Sequence, residues 1–387
     1  MSLVTLGIIG TGIRAYHLFK LIKQFSPQVE IAALCDTSEH RLRNFAKLLD
    51  FNGSLFTNSE HLLMNCTQVN TILITTPDNT HEQLSLQSIE YKKHTLCEKP
   101  LAQSIQAATL ITEKVKGNQL VFTVGHVLRY TNFYQTVKRY IDDGLIGQVR
   151  VVTAHDLVNG AKYFRRWHRY SHVSGGILLH KSIHTFDLLA WFLGNAPVRL
   201  SAAAKRKVFV PIDHQERYCR NCDLSPSCRF WFDLNISPYR ELYLETETNE
   251  HADIRDVCAF NSSKDIVDHA TVLFEFPDTL VNYTLSLFSP AKTRRFLFIG
   301  ELGELECDEA DQRIDIRRFG RRPMVEHIPP GNDSGHFGGD YGLLAHFFNL
   351  IKVKDFANDE LLRSLTGLTM AVKAVEAVQH PGGLVLC

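Results

Sequence analysis

Long apolar runs and net charge are what this sequence lacks. Nowhere does it approach the roughly 18 to 20 consecutive apolar residues that a membrane helix needs, which excludes a helical membrane protein. Lys and Arg number 42, as do Asp and Glu, and the pI is near 7.3. Without a global field of either sign, recruitment of nucleic acid or anionic lipid is not expected, and small-molecule chemistry fits better. No basic segment and no apolar leader precede the strand-like residues 3–9, so a cytoplasmic location is expected. Repeats and low-complexity tracts are missing too, which excludes solenoids and linker arrays. Cysteine, by contrast, is present nine times among 387 residues. In a chain without a leader these read as buried thiols with a candidate metal cluster, not as a disulfide framework. The length suits two domains.

The N-terminal third alternates apolar strands with stretches of helical spacing, the pattern of a parallel sheet. Residues 6–15, LGIIGTGIRA, run from an apolar strand into a GxGxxA turn and on into a helix. Gly10 allows the tight turn, Gly12 admits a pyrophosphate to the backbone, and small Ala15 lets the helix pack on the strand. The N–H groups of Thr11, Ile13 and Arg14 would then face the phosphates. The next strand, residues 29–35, ends in Asp36, about 20 residues further on, where an acid can accept both ribose hydroxyls. No arginine directly follows Asp36, which argues for NAD over NADP. A surface acid at a turn is the alternative.

Strand, turn and helix recur through residues 71–75 and TTPDNTH, bringing Thr76, Pro77 and His81 to the same sheet edge. His81 could equally cap or pack. Residues 95–100, TLCEKP, read as the end of a buried strand stopped by Pro100. Glu98 and Lys99 therefore stand at a C-terminal strand edge, where open α/β sheets bind ligands. An ammonium there can meet a substrate oxygen, whereas an ordinary surface ion pair would be worth little.

GIIGTGIRA, TTPDNTH and CEKP, in this order and spacing, resemble the Gfo/Idh/MocA family of NAD(P)-dependent oxidoreductases. The resemblance extends over most of the chain. It implies an α/β protein with an N-terminal Rossmann dinucleotide-binding domain and a C-terminal α/β domain with a large, mostly antiparallel open sheet. The expected boundaries are residues 1–125, then 126–350, with residues 351–387 forming a helix that packs back on the first domain. Its implied chemistry is reversible hydride transfer on a sugar, cyclitol or related polyol.

In the second half, His126, Arg129 and Tyr130 resemble a family segment that enters the substrate pocket; a place in the domain junction is the alternative. Residues 162–170 form a basic, aromatic loop in which Trp167 could stack on a sugar and an arginine could hold a carboxylate or phosphate. Residues 174–187, SGGILLHKSIHTFD, have a helical interior that puts His180, His184 and Asp187 on one face. An imidazole suits proton exchange with a hydroxyl, and Asp187 could orient His184. The segment resembles the family's catalytic helix, with His184 on its histidine. Where many members carry an aspartate four residues earlier this chain has His180, and the KSxH form makes Lys181 an alternative helper. The same His180, His184 and Asp187 could instead bind a divalent metal, as in a hydrolase.

Cys219, Cys222 and Cys228 form a CxxC with a third cysteine six residues on, within an insert at residues 211–236. With Cys258 or His214 as fourth ligand they are a candidate structural zinc site. Residues 257–260, 267–276, 279–288, 295–299 and 312–318 read as strands, and helices are expected over residues 343–351 and 359–378. Asp340 and Tyr341 are weaker candidates for the pocket. A broad sheet with an apolar outer face commonly mediates dimers or tetramers in the family, so a homodimer or homotetramer is expected.

The sequence thus points to an NAD-dependent oxidoreductase in which Lys99 stabilises charge on the reacting oxygen and His184 takes its proton. Two rivals stay open: a glycoside-cleaving enzyme that oxidises its substrate only transiently, and a non-catalytic NAD- or sugar-binding sensor.

Overall fold

The computed structural model describes residues 4–214, 216–225, 227–244, 255–331, 335–380 and 385–386. The expected start of the first strand at residue 3 and the ninth cysteine, Cys387, lie outside them. The first sheet is built from β1 (Val4–Ile9), α1 (Ile13–Phe25), β2 (Val29–Cys35), α2 (Glu39–Leu48), β3 (Ser54–Phe56), α3 (Ser59–Asn65), β4 (Thr71–Ile74), α4 (His81–Glu90), β5 (His94–Cys97), α5 (Ile105–Lys116) and β6 (Phe122–Val124). Its strands run parallel in the order β3-β2-β1-β4-β5-β6. All six residues of β1 are buried, as a strand covered by helices on both faces requires. The strand order reverses beside β1, and the crevice outside the C-terminal ends of β1 and β4 is where such sheets bind ligands.

The second sheet follows α6 (Asn132–Asp142). It comprises β7 (Val149–Asn159), the short helices α7 (Ser171–Ser174), α8 (Ile177–His180) and α9 (Ile183–Leu193), then β8 (Arg199–Lys205), β9 (His269–Glu275), β10 (Leu280–Ser286), β11 (Phe288–Gly300), β12 (Gly303–Asp308), β13 (Arg313–Arg318) and β14 (Met324–His327). α10 (Gly339–Val353), α11 (Asp359–Gln379) and the edge strand β15 (Val385–Leu386) complete the chain. The order is β14-β13-β12-β11-β7-β10-β9-β8-β15, antiparallel except for the β7–β10 pair. Alternation sorts the faces: Ala270, Val272 and Phe274 of β9 point inward, and Phe274 meets Phe186 of α9 edge-on at 5.0 Å.

Three local expectations are corrected. Residues 257–260 form no strand; Val257 makes one isolated bridge, to Tyr218. Residues 174–194 are not one helix, because Gly175 and Gly176 at φ +67° and +87° separate α7 from α8, and Lys181 and Ser182 separate α8 from α9. α11 touches α5 and β6 of the first sheet, as expected, but also lies along α9 and β8 of the second. The residue before it, Asn358, accepts the Phe122 N–H at 2.8 Å and donates to the Leu120 carbonyl at 2.9 Å, tying the seam.

Candidate active site

One cleft of about 1650 Å³ runs from the C-terminal edge of the first sheet to the rim of the second. Its first half is the glycine turn. Gly10 sits at φ +94°, and a Cβ there would come within 2.8 Å of Thr76 Cγ2 and 2.9 Å of the Thr75 backbone, so only glycine fits. Gly12, Ile13, Arg14, Thr76, Pro77, Glu98 and Lys99 line the cleft beside it. This cradle of small residues and helix N–H groups at the head of α1 fits a dinucleotide pyrophosphate.

Asp36 ends β2 as expected and lines the cleft, but its carboxylate is already engaged. It accepts the Thr11 N–H at 2.8 Å and the Thr11 hydroxyl at 3.0 Å, the Ser38 N–H at 2.9 Å, and Arg41 at 3.0 and 2.7 Å. Burial opposes its charge, yet Arg41 and these donors hold its pKa below the ordinary carboxylate value. Thr11 is therefore turned into the protein and lines no part of the cleft. The arginine that does not follow Asp36 directly arrives from the first turn of α2.

Arg14 is held between Glu98 at 2.5 Å and Asp340 at 2.7 Å, which brings the head of α10 against the glycine turn. His81 is fully buried, with Nδ1 2.6 Å from the Pro100 carbonyl and Nε2 3.0 Å from that of Thr76. It braces the two turns against each other.

The second half of the cleft gathers Lys99, His180, Lys181, His184 and Trp167 from distant parts of the chain. Lys99 Nζ donates to the His180 carbonyl at 2.8 Å, and burial draws its pKa below the usual lysine value. Lys181 donates to both oxygens of Asp156 at 2.7 and 2.8 Å; burial and then Arg294 bring it down to about 8 against the pull of Asp156. Burial and the charges of Lys99, Arg294 and Lys181 hold His184 well below its ordinary value, so the ring is neutral. Its Nδ1 has no hydrogen-bond partner among the described residues. His180 Nδ1 lies 2.6 Å from Asp78 Oδ2. Burial raises the Asp78 carboxyl and lowers the His180 imidazole. Trp167 stacks on His168 at 3.7 Å and meets His180 edge-on at 5.3 Å.

His126, Arg129, Tyr130 and Asp187 lie outside the cleft. Asp187 accepts Arg129 at 2.8 and 2.6 Å and stands 3.5 Å from His126. Arg129 also reaches Glu360 of α11 at 3.0 Å, and Tyr130 packs on His346 of α10. They form the junction, so Asp187 does not orient His184. The break at Lys181 and Ser182 turned the expected common face apart. For the same reason His180, His184 and Asp187 make no metal site.

Asp78, Asp156, Arg294, Glu309, His336 and Lys162 line the cleft without having been singled out. One signal was available: Asp156 occupies the next inward position of β7 after apolar Val152 and Ala154.

The insert brings Cys219, Cys222, Cys228 and Cys258 to one small pocket with Arg165 and Trp231. Among the described residues, though, the compact donor set is His214, Cys222 and Asp223, whose ligand atoms lie within 4.8 Å of one another. Cys222 Sγ is 3.2 Å from His214 Nε2.

The chain is 26% identical over 376 residues to a putative oxidoreductase, YteT, of Bacillus subtilis, covering 88% of this chain and 87% of that protein. It is 28% identical over 192 residues to myo-inositol 2-dehydrogenase of Thermotoga maritima, a match spanning only 49% of this chain and 54% of that protein. A crystal structure of an oxidoreductase domain protein from Kribbella flavida superposes with a TM-score of 0.78 at 18% identity, covering 100% of this chain and 99% of that one. No helix among the described residues is long and apolar enough to cross a membrane. Family models match residues 4–126, as an oxidoreductase-family NAD-binding Rossmann fold, and residues 138–328, as the oxidoreductase-family C-terminal α/β domain. With its glycine turn, its Glu98-Lys99 edge and both halves matched, the chain belongs to the Gfo/Idh/MocA family of NAD-binding oxidoreductases.

Proposed function

We propose that the chain is an NAD-dependent dehydrogenase acting on a CH–OH group of a sugar, cyclitol or sugar derivative. The observation that carries this is the continuity of one cleft from Gly10 and Gly12 to Lys99 and His184. The bound nicotinamide would supply the hydride acceptor. Gly10, Gly12 and the N–H groups of Ile13 and Arg14 would hold the pyrophosphate, with Thr76, Pro77 and Glu98 along its path. Asp36 supports NAD over NADP, although Arg41 offsets part of its charge, so both cofactors belong in the assay.

Lys99 gives one of its three N–H groups to the His180 carbonyl, leaving two for a substrate oxygen. There it would stabilise developing negative charge. His184, neutral and lining the cleft, is the proton acceptor. Lys181 contributes charge; its nitrogen is no base while it donates to both Asp156 oxygens.

The outer face of the second sheet supports a homodimer or homotetramer. Val151 pairs in register with Leu280 on one side and Ile299 on the other, and all three side chains are exposed. A second copy would cover this stripe. A cytoplasmic setting and a structural zinc in the cysteine insert complete the proposal.

The test is absorbance at the NADH band as NAD or NADP and a panel of sugars, cyclitols and glycosides are supplied, with sugar release followed in parallel. NADH formation dependent on one compound is expected. Sugar release without net NADH would instead establish the redox-assisted lyase, and silence in both channels the sensor.

A further inference from the structure

Cationic side chains at the substrate end of the cleft outnumber the carboxylates that could answer them. Lys99, Lys162, Lys181, Lys292 and Arg294 line it. Lys181 is paired with Asp156, and Arg294 with Glu309 at 2.9 Å and Asp156 at 3.6 Å. Glu98 is taken by Arg14 at 2.5 Å, and Asp78 by His180 Nδ1 at 2.6 Å. Neither Lys162 nor Lys292 makes an ion pair or hydrogen bond among the described residues; Lys162 rests over the Tyr163 ring at 5.1 Å.

An irregularity of the second sheet delivers Lys292. Phe288 pairs with Asn159 and Thr293 with Leu157, so five steps along β11 match two along β7. The surplus segment is a bulge that carries Lys292 to the cleft rim, and Lys162 follows at once from the end of β7. Bulges beside active sites re-aim side chains. Crowding of like charge is unfavourable. Although Lys162 stays accessible from the cleft, enclosure and then the charges of Arg166, Lys181, Lys292 and Lys99 bring its ammonium down to about 7. An anion placed between these groups relieves that cost.

We infer that the sugar bound in this cleft carries an oxyanion, a carboxylate or a phosphate ester, held by Lys162 and Lys292. This rests on the cleft being the substrate site proposed above. The substrate class is then a sugar acid or sugar phosphate, and the neutral parent sugar is the poorer ligand. Lys99 and His184 act on a hydroxyl of the same molecule.

The test uses direct binding as well as turnover, so that the two proposals fail separately. Titration calorimetry of the NADH-loaded protein compares hexuronates, aldonates and hexose phosphates with their neutral parents. At least one anionic sugar is expected to bind about 10-fold more tightly than its neutral parent, the worth of one charge-assisted hydrogen bond. Lys162→Met and Lys292→Met are each expected to weaken that anion about 10-fold while leaving NADH affinity and the neutral parent unchanged. Affinity for the anion should also fall as pH rises through 7, where Lys162 loses its proton, and the Lys162→Met protein should lose that dependence. Which compounds bind separates carboxylate from phosphate. Equal binding of charged and neutral sugars overturns the inference, as does a loss in the variants that falls on NADH, which would mean that the lysines serve the cofactor. Anion binding without NADH formation sustains it while overturning the dehydrogenase.

Discussion

The Tyr243 hydroxyl accepts the Ile13 backbone N–H at 2.8 Å. Ile13 opens α1, so this N–H is one of those a pyrophosphate needs, and a Cβ on Gly12 would lie 3.2 Å from the same hydroxyl. Arg255 donates to the hydroxyl at 2.6 Å and covers the Tyr243 ring at 3.8 Å, while Asn44 of α2 donates to the Glu241 carbonyl at 2.8 Å. Chain that follows the cysteine insert therefore reaches the cofactor turn, and its hydroxyl competes with a phosphate oxygen. Tyr243→Phe is expected to bind NADH about 2- to 10-fold more tightly, the range of one neutral hydrogen bond. Fluorescence titration measures it. Weaker binding would mean that the hydroxyl assists the bound cofactor.

Lys99→Met should lower kcat by about 100- to 1000-fold, as removal of a donor to a developing oxyanion does, while NADH binding is spared. Stopped-flow turnover and NADH titration separate these effects. Full activity in that variant would sink the role given to Lys99.

Asp187 is the residue whose expected role changes most. Its carboxylate is bidentate on buried Arg129, and Gly367 of α11 packs so closely that a Cβ there would lie 2.8 Å from the Asp187 Cα. Removing one partner of a buried pair strands the other charge, so Asp187→Ala should cost about 3 to 5 kcal/mol of stability. The pH profile of turnover should keep its shape in whatever protein folds. A displaced profile at native stability would return Asp187 to the orientation of His184.

Much of the first sheet was legible because its motifs act through local backbone. Gly10 must be glycine for the turn, Asp36 must end β2, and Pro100 must stop β5; each follows from a few consecutive residues. The second half was legible in content but not in geometry. His180, His184 and Asp187 carry helical spacing, yet Lys181 and Ser182 interrupt the helix, and a face computed across a break has no meaning. Arg294 of β11 lies far from Asp156 of β7 in sequence, and only the register that pairs them brings the two together. Arg41 is not legible as a partner of Asp36 because α2 folds it back from five positions away.

Zinc in the insert predicts a measurable stoichiometry. The insert is anchored by Asp256, which accepts Arg220 at 2.7 and 2.6 Å, but it is too small for a core of its own. Protein purified without chelator should carry about one zinc per chain by elemental analysis, and Cys222→Ser should lose it. Removing the metal should lower the melting temperature and free Tyr243 from the Ile13 N–H. Metal-free protein that melts like the purified form would reduce the cysteines to ordinary thiols.

Asp340 gives the acid dependence of the fold a specific origin. Its buried carboxylate accepts Arg14 at 2.7 Å and faces His336 Nδ1 at 3.1 Å, joining α10 to the glycine turn. Burial disfavours the charge, but Arg14 first and His336 next outweigh it, so the folded carboxyl lies well below the ordinary range. In the unfolded chain an aspartate titrates near about 3.9. Below that value the unfolded state binds a proton that the folded state refuses, so the contribution is complete above about pH 4 and shrinks as acid is added. Asp340→Asn removes it at every pH, leaving Arg14 with Glu98 alone. The variant should therefore be about 3 kcal/mol less stable than the parent at pH 7, with the gap narrowing between pH 4 and pH 3. Urea unfolding across that range measures it. A gap that stays constant on acidification would mean that Asp340 acts through packing, not charge.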